Sequence, residues 1–210
     1  MRIQTLTKES TKDLLSQLLK RSPANYTAYE SSVKEIVERV REEKDAAVFD
    51  YTLKFDKATV TPETLVVTED EIKEAYENVD PSLLDVIRKS LVNIRSFHEK
   101  QLQNSWFESD NRGIILGQKV TPLENVGVYV PGGKAVYPSS VLMNIVPAKV
   151  AGVEHIYMCT PPDKDGKICP STLVAAKEAG ADVIYKVGGA QAIAAMAFGT
   201  ESIQKVDKIV

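Results

Sequence analysis

Two short segments carry residue types that meet ligands. The first, Val126-Gly-Val-Tyr-Val-Pro-Gly-Gly133, is an apolar run of strand length that stops at a proline and two glycines. Proline cannot continue a central strand, and glycine admits backbone conformations that other residues avoid. Lys134 to Ser140 then leads into a helical pattern. A strand, a glycine turn and a helix form an arrangement in which nucleotides and phosphates are often held. The spacing matches neither G-x-G-x-x-G nor a P-loop, because G-K-[ST] is absent, so the segment reads as a ligand-facing turn of modest specificity. The second segment, Gly188-Gly-Ala-Gln191, puts an amide in the first turn of a helix. The rest of that helix, Ala192-Ile-Ala-Ala-Met-Ala-Phe198, is apolar on every face. Such a helix is buried, and a single polar residue at its mouth reads equally as the wall of a pocket or as a glutamine that caps the helix.

The other chemically capable side chains have fewer companions. His98 lies on the apolar line of a long helix, with no Cys, Asp or second His at ligand spacing on that face. It reads as a core-edge histidine rather than a base or metal ligand. His155 opens a strand with no acidic or histidine companion expected nearby, and Trp106 reads as a packing residue. Cys159 and Cys169 read as two free thiols of a reducing cytosol.

The elements that hold these residues follow from periodicity. Lys8 to Arg21 predicts an amphipathic helix with Leu14, Leu15, Leu18 and Leu19 on one face, stopped by Ser22-Pro23. That apolar stripe must be buried on its own domain or on a partner subunit. Apolar residues from Val33 to Tyr51 recur at helical spacing, and Ser32-Val-Lys-Glu35 fits a capping box. Thr59 to Pro62 and Leu65 to Val67 predict short extended pieces. Thr68-Glu-Asp-Glu71 is a second capping box, opening a helix to about Asn78, and Asp80-Pro81 opens a longer one to about Gln101. From Gly113 the period changes. Ile114 to Leu116 and Gln118 to Thr121 read as extended, and Pro122 to Asn125 as a turn. Strand candidates then start near Val126, His155, Asp182 and Lys208, at spacings of 29, 27 and 26 residues. Each spacing is close to one strand–helix–strand unit of about 30 residues. Helices at Ser140–Ala151, Ser171–Ala179 and Ala190–Phe198 fill the gaps, with Pro147 expected to kink or restart the first. The alternation implies a parallel sheet with helices on its faces. Right-handed crossovers bring three turns to one edge: Pro131-Gly-Gly133, Thr160-Pro-Pro162 and Gly188-Gly189.

Composition excludes several classes. With 43% hydrophobic residues in 210, a sizeable core is expected. A net charge of −3, from 29 acidic and 26 basic residues, and no dense basic block argue against nucleic acid as a partner. The longest strictly apolar run, Ala192 to Phe198, is far too short to span a membrane, and Met1 to Glu9 has no apolar signal-peptide core. Lys208-Ile-Val210 reads as the start of a strand, so the sequence is expected to be a fragment whose sheet continues.

Four segments in this order resemble one family. They are Val126 to Gly133, Met143-Asn-Ile-Val-Pro-Ala-Lys-Val-Ala-Gly-Val153, Thr160-Pro-Pro162 and Val187 to Gly199, with Ile94 to Gln101 matching a helix of the same family. The family is histidinol dehydrogenase. The resemblance implies an enzyme that oxidises L-histidinol to L-histidine through the aldehyde, the last step of histidine biosynthesis. That four-electron oxidation uses two molecules of NAD in succession and one bound zinc. The fold implied is α/β, a helical N-terminal part followed by an incomplete Rossmann-like parallel sheet related to aldehyde dehydrogenases. The implied NAD contacts are Tyr129 and Gln191. The zinc ligands and the proton-transferring Glu-His pair are implied beyond Val210, so no catalytic or metal residue is expected in this chain, and it is expected to be inactive alone. Cys159 invites comparison with a thiohemiacetal nucleophile, but without a visible base it reads as a buried core thiol. Residues 1–24 are expected to form an arm contacting the partner of a homodimer. Residues 25–118 read as the first part of a discontinuous, mostly helical domain, and 119–210 as the NAD-binding domain, truncated at its C-terminal end. A cytoplasmic location is expected, with L-histidinol as the small-molecule partner, and no membrane or nucleic acid. The alternative from a different class is a non-catalytic α/β module that binds a nucleotide or a protein.

Overall fold

The computed structural model describes residues 5, 7–20, 27–132 and 136–210. Gly133, the Ser22-Pro23 helix stop and Arg21 lie outside these residues, as do the side chains of Leu18 and Leu19. The chain divides into two units, Met1–Glu35 and Ile36–Val210.

In the first unit, α1 spans Lys8–Lys20. Thr7 and Ser10 cap its start reciprocally: the Ser10 N–H donates to Thr7 Oγ1 at 3.1 Å and the Thr7 N–H to Ser10 Oγ at 2.8 Å. Leu14 and Leu15 are exposed. The next helix, α2 (Thr27–Glu43), begins here and runs into the second unit. It starts at Thr27 rather than at Ser32, because no breaker separates the two and Ser32 is accommodated as an interior residue.

The second unit departs from expectation at Lys44. The pattern from Val33 to Tyr51 predicts one helix, but Lys44 takes φ 52°, ending α2 and starting α3 at Asp45–Asp56. The charge run around Lys44 gives no hint of this break. Tertiary contacts hold it: Asp45 Oδ2 accepts from Ser202 Oγ at 2.6 Å, and Arg39 bridges the break to Asp50 at 2.6 Å. Thr59 to Pro62 forms no strand. The Thr61 carbonyl instead takes the N–H groups of Thr64 and Leu65 in a turn. Leu65 to Val67 does extend and lies antiparallel against a strand edge through a bridge at Val66.

Helix α4 (Glu69–Asn78) carries the predicted capping box at Thr68 and Glu71, and α5 (Pro81–Glu99) has Asp80 as its N-cap. A hairpin follows, β1 (Trp106–Ser109) paired antiparallel with β2 (Ile115–Gln118). The sequence reading offers no strand at 106–109, and it splits the second into two extended pieces, Ile114 to Leu116 and Gln118 to Thr121, where the structure has one strand running through Gly117. All of their residues are exposed, and Trp106, expected to pack, is 53% exposed.

Next come β3 (Asn125–Tyr129), α6 (Pro138–Val150), β4 (His155–Thr160), α7 (Pro170–Ala179), β5 (Val183–Lys186), α8 (Gly189–Phe198) and β6 (Lys208–Ile209). The four strand starts match the sequence reading to within a residue. Helix α6 runs through Pro147 as one helix, without the restart the sequence suggested. These four strands pair in parallel, in the order β5-β4-β3-β6. Alternate residues face opposite sides, as the two-residue period of a strand demands. Val126, Val128, Ile156, Met158 and Ile184 meet α4 to α7. Cys159 and Tyr185 meet α3 and α8 on the other side. Gly127 permits α8 to close on the sheet, since a Cβ there would stand 2.7 Å from Met196 Sδ.

At the end of β5 the Lys186 ammonium, 7% exposed, is paired with Glu71 of α4. Burial pushes the Glu71 carboxyl up, but hydrogen bonds from Lys186 and from the Thr68 backbone and hydroxyl, with the Lys186 charge, outweigh it and hold it low. A depressed folded pKa adds stability that is present above the unfolded value and is lost as pH falls through the folded one. Glu71→Gln leaves a buried ammonium uncompensated, for an expected loss of about 3 kcal/mol in urea unfolding at pH 7. The difference from the wild type should shrink as pH falls below 4.5, the ordinary value for this group. A constant difference across that range would refute the pairing's role.

Candidate active-site edge

Strand order reverses at β3: β4 and β5 lie to one side of it and β6 to the other. In open parallel sheets the carboxyl end of the strands at such a reversal is where a crevice for ligands opens. The end of β3 is held on both sides. Tyr129 N–H donates to Val210 O at 2.8 Å, and Val130 N–H donates to Cys159 O at 2.9 Å.

Three turns meet at this edge, and they meet closely. A Cβ on Gly132 would stand 2.5 Å from Pro161 Cγ, and one on Gly188 would stand 2.5 Å from Pro161 Cβ. The Pro161 ring therefore fills the gap between the turns after β3 and β5. Gly189 takes φ +64°, a conformation that L side chains rarely adopt, and opens α8. Its N–H donates to the Tyr129 hydroxyl at 3.0 Å. The structure thus joins Tyr129 and the Gly188–Gly189 turn directly, leaving the phenolic O–H able to donate elsewhere.

Gln191 stands two residues further on, 1% exposed. Neither its Oε1 nor its Nε2 has a hydrogen-bond partner among the described residues. Its Oε1 accepts no backbone N–H of the first turn of α8, so the amide does not cap the helix, and that reading of the sequence falls. The amide lies over Gly189, where a Cβ would stand 2.6 Å from its Oε1. A buried amide with both ends unsatisfied costs about 1–3 kcal/mol, a cost that a hydrogen-bonding ligand relieves.

On the α4 and α7 side of the same edge a cavity of about 380 Å³ is lined by Pro131, Gly132, Thr160, Pro161, Cys169 and Leu173. Neither Tyr129 nor Gln191 lines it.

The remaining candidates behave as structural groups. Cys159 is fully buried at the end of β4, and burial pushes its thiol up, so it stays protonated and unreactive. Cys169 is exposed before α7, with Sγ 3.4 Å from Ser171 Oγ. His98 is partly buried, its Nδ1 2.7 Å from Gln101 Oε1. His155 does have an acidic companion, contrary to expectation: Glu154 Oε1 lies 3.7 Å from its Nε2, in an exposed pair between sequence neighbours. Among the described residues no group of three or more His, Cys, Asp or Glu could hold a metal ion, and no helix is long and apolar enough to cross a membrane.

Sequence reasoning passed over Asp56. It ends α3, its Oδ2 is buried with no partner among the described residues, and burial pushes its carboxyl up. The one available signal was an acidic residue in the last turn of a helix, against the macrodipole.

Comparison with known proteins adds the family context. A family model described as histidinol dehydrogenase matches residues 19–210. Histidinol dehydrogenase of Bacillus subtilis (strain 168) is 55% identical over 91% of this chain and 44% of its own length. That of Aquifex aeolicus (strain VF5) is 54% identical over 100% of this chain and 48% of its own length. A crystal structure of histidinol dehydrogenase from Elizabethkingia anophelis superposes with a TM-score of 0.81 at 42% identity, covering 86% of this chain and 41% of that one. The chain therefore spans about half the length of the relatives it matches.

Two measurements check this geometry. Gly188→Ala forces the Pro161 contact apart, and an overpacking cost of about 1–3 kcal/mol should lower Tm by several degrees. An unchanged Tm would mean that the turns do not interlock. Iodoacetamide on the native protein should alkylate Cys169 and spare Cys159 until denaturant is added; native-state labelling of Cys159 would contradict its burial.

Proposed function

The chain belongs to the histidinol dehydrogenase family, and on that premise we propose that it forms part of the NAD site of an enzyme oxidising L-histidinol to L-histidine. The observation that carries the reading is the unpartnered Gln191 amide beside the Tyr129 hydroxyl, at the edge where the strand order reverses. These groups suit a dinucleotide. The amide both donates and accepts, and the phenol, already accepting from Gly189, has its proton to give. Bound NAD supplies the hydride acceptor for each oxidation. The residues of this chain bind and orient it: Gly188 and Gly189 allow close approach of the ligand, and the N-terminal end of α8 favours negative charge.

Zinc binding does not fit the described residues, which hold no metal cluster. We assign zinc binding and proton transfer to sequence outside these 210 residues. The whole enzyme is proposed to act in the cytoplasm as a homodimer contacted through residues 1–24. An exposed Cys169 with no disulfide suits a reducing compartment. Identity of about 55% to several histidinol dehydrogenases weighs against a non-catalytic module.

Binding separates the two parts of the reading. Gln191→Ala and Tyr129→Phe should each weaken NAD binding to this chain by roughly tenfold in calorimetry, the value of a lost hydrogen bond in a buried site. Histidinol-dependent NADH formation with zinc present is expected from a chain of the relatives' full length and not from these 210 residues alone. Unchanged NAD affinity in both variants would remove Tyr129 and Gln191 from the site.

A further inference from the structure

Helices α3 and α8 pack against each other on one face of the sheet. Their direction is fixed at one end. Asp45, which opens α3, binds residues just past the end of α8: its Oδ2 accepts from Ser202 Oγ at 2.6 Å, and its N–H donates to Glu201 Oε2 at 3.3 Å. Arg41, just before α3, lies over the Phe198 ring at 4.4 Å. The helices therefore run antiparallel. At about 1.5 Å per residue, Asp56 lies roughly 16 Å further along, level with the first turn of α8. Ala58, two residues on, belongs to the buried apolar cluster on this face of the sheet, which also holds Val187 and Ala192.

Packed this way, the end of α3 that carries Asp56, a half-buried residue whose Oδ2 is buried without a partner among the described residues, faces the end of α8 that carries the unpartnered Gln191 amide. We propose that Asp56 is a third polar contact of the Tyr129–Gln191 site, its carboxylate taking a ribose hydroxyl of the dinucleotide. This inference rests on the reading of that site as an NAD site.

The chemistry selects the hydroxyl. An ionised carboxylate only accepts, and it repels a pyrophosphate. A sugar hydroxyl is a neutral donor that also accepts, so it can satisfy a carboxylate and an amide together. The carboxylate just past the end of the next strand is exposed and has one oxygen bound within its own turn. Asp163 Oδ1 accepts from the N–H groups of Asp165 and Lys167, each at 2.9 Å. Burial without a partner also keeps the Asp56 carboxyl raised, the state of a group waiting for a donor.

The test is calorimetric titration of the 210-residue chain with NAD, together with thermal melts in its absence. The wild type should bind, and Asp56→Ala should weaken binding about tenfold. Asp56→Asn, which keeps an acceptor oxygen, should weaken it by less, about threefold, while raising the Tm of the ligand-free protein by roughly 2 °C through loss of a buried unpaired charge. Opposite movement of affinity and Tm is not expected of a residue that only supports the fold. NAD binding by the wild type with unchanged affinity in both variants would overturn this assignment alone. Failure of the wild type and every variant to bind NAD would overturn the NAD reading and this inference together.

Discussion

Pro161 has no room for a side-chain carbon on either neighbour, and the candidate site depends on that crowding. Its ring meets Gly132 after β3 and Gly188 after β5, so two turns carried by different strands are locked to one spacing. The lock has a direct consequence for chemistry. With the turn after β5 held against β4, the Gly189 N–H reaches the Tyr129 hydroxyl across the sheet edge. Gln191 follows within the same helical turn. Tyr129 and Gly189, 60 residues apart in sequence, are thereby held by backbone packing rather than by mobile contacts, which is what a binding site requires of its support.

A second constraint acts from beneath. The buried Lys186–Glu71 pair ties the end of β5 to α4, and Arg88 with Tyr76 holds Glu178 of α7 from α5 and α4. These contacts fix the helices on one face of the sheet. On the other face, Asp45 anchors α3 to the end of α8. The site edge lies between these two braced faces, and among the described residues the Gln191 amide there is left without partners. Among the described residues the hydrogen-bond deficit is therefore local: it falls on the Gln191 amide and Asp56 Oδ2 while the anchors are satisfied.

The parallel sheet was legible because each strand–helix unit repeats one apolar run and one glycine stop, and the strand starts near Val126, His155, Asp182 and Lys208 needed no tertiary knowledge. Capping boxes were legible where a breaker isolates them. Thr68 follows an extended segment and caps α4, whereas Ser32 lies inside a stretch that is helical in its own right. The break at Lys44 was hidden because one of its causes is distant, in Ser202, and the other is a pairing of Arg39 with Asp50 that forms only once the chain has turned. The same limit governs the site. Gln191 could be recognised as a polar residue at the mouth of an apolar helix, but only three dimensions show that its amide caps nothing. Asp56 could not be recognised at all, since its meaning comes from the antiparallel packing of α3 on α8.

That packing also sets how stability and binding trade against each other here. An acidic residue in the last turn of a helix opposes the macrodipole, and burying its oxygen adds a desolvation cost. The unsatisfied Gln191 amide adds another. Neither is compensated within the described residues, so the fold carries them against its own stability. Groups of this kind persist where something else satisfies them. A ligand that supplies both a donor and an acceptor at this edge removes the two costs at once, and its binding is stronger by the amount that the ligand-free chain is weaker. The arrangement favours a sugar hydroxyl over a phosphate, because only the neutral group can lie beside a carboxylate whose pKa is already raised.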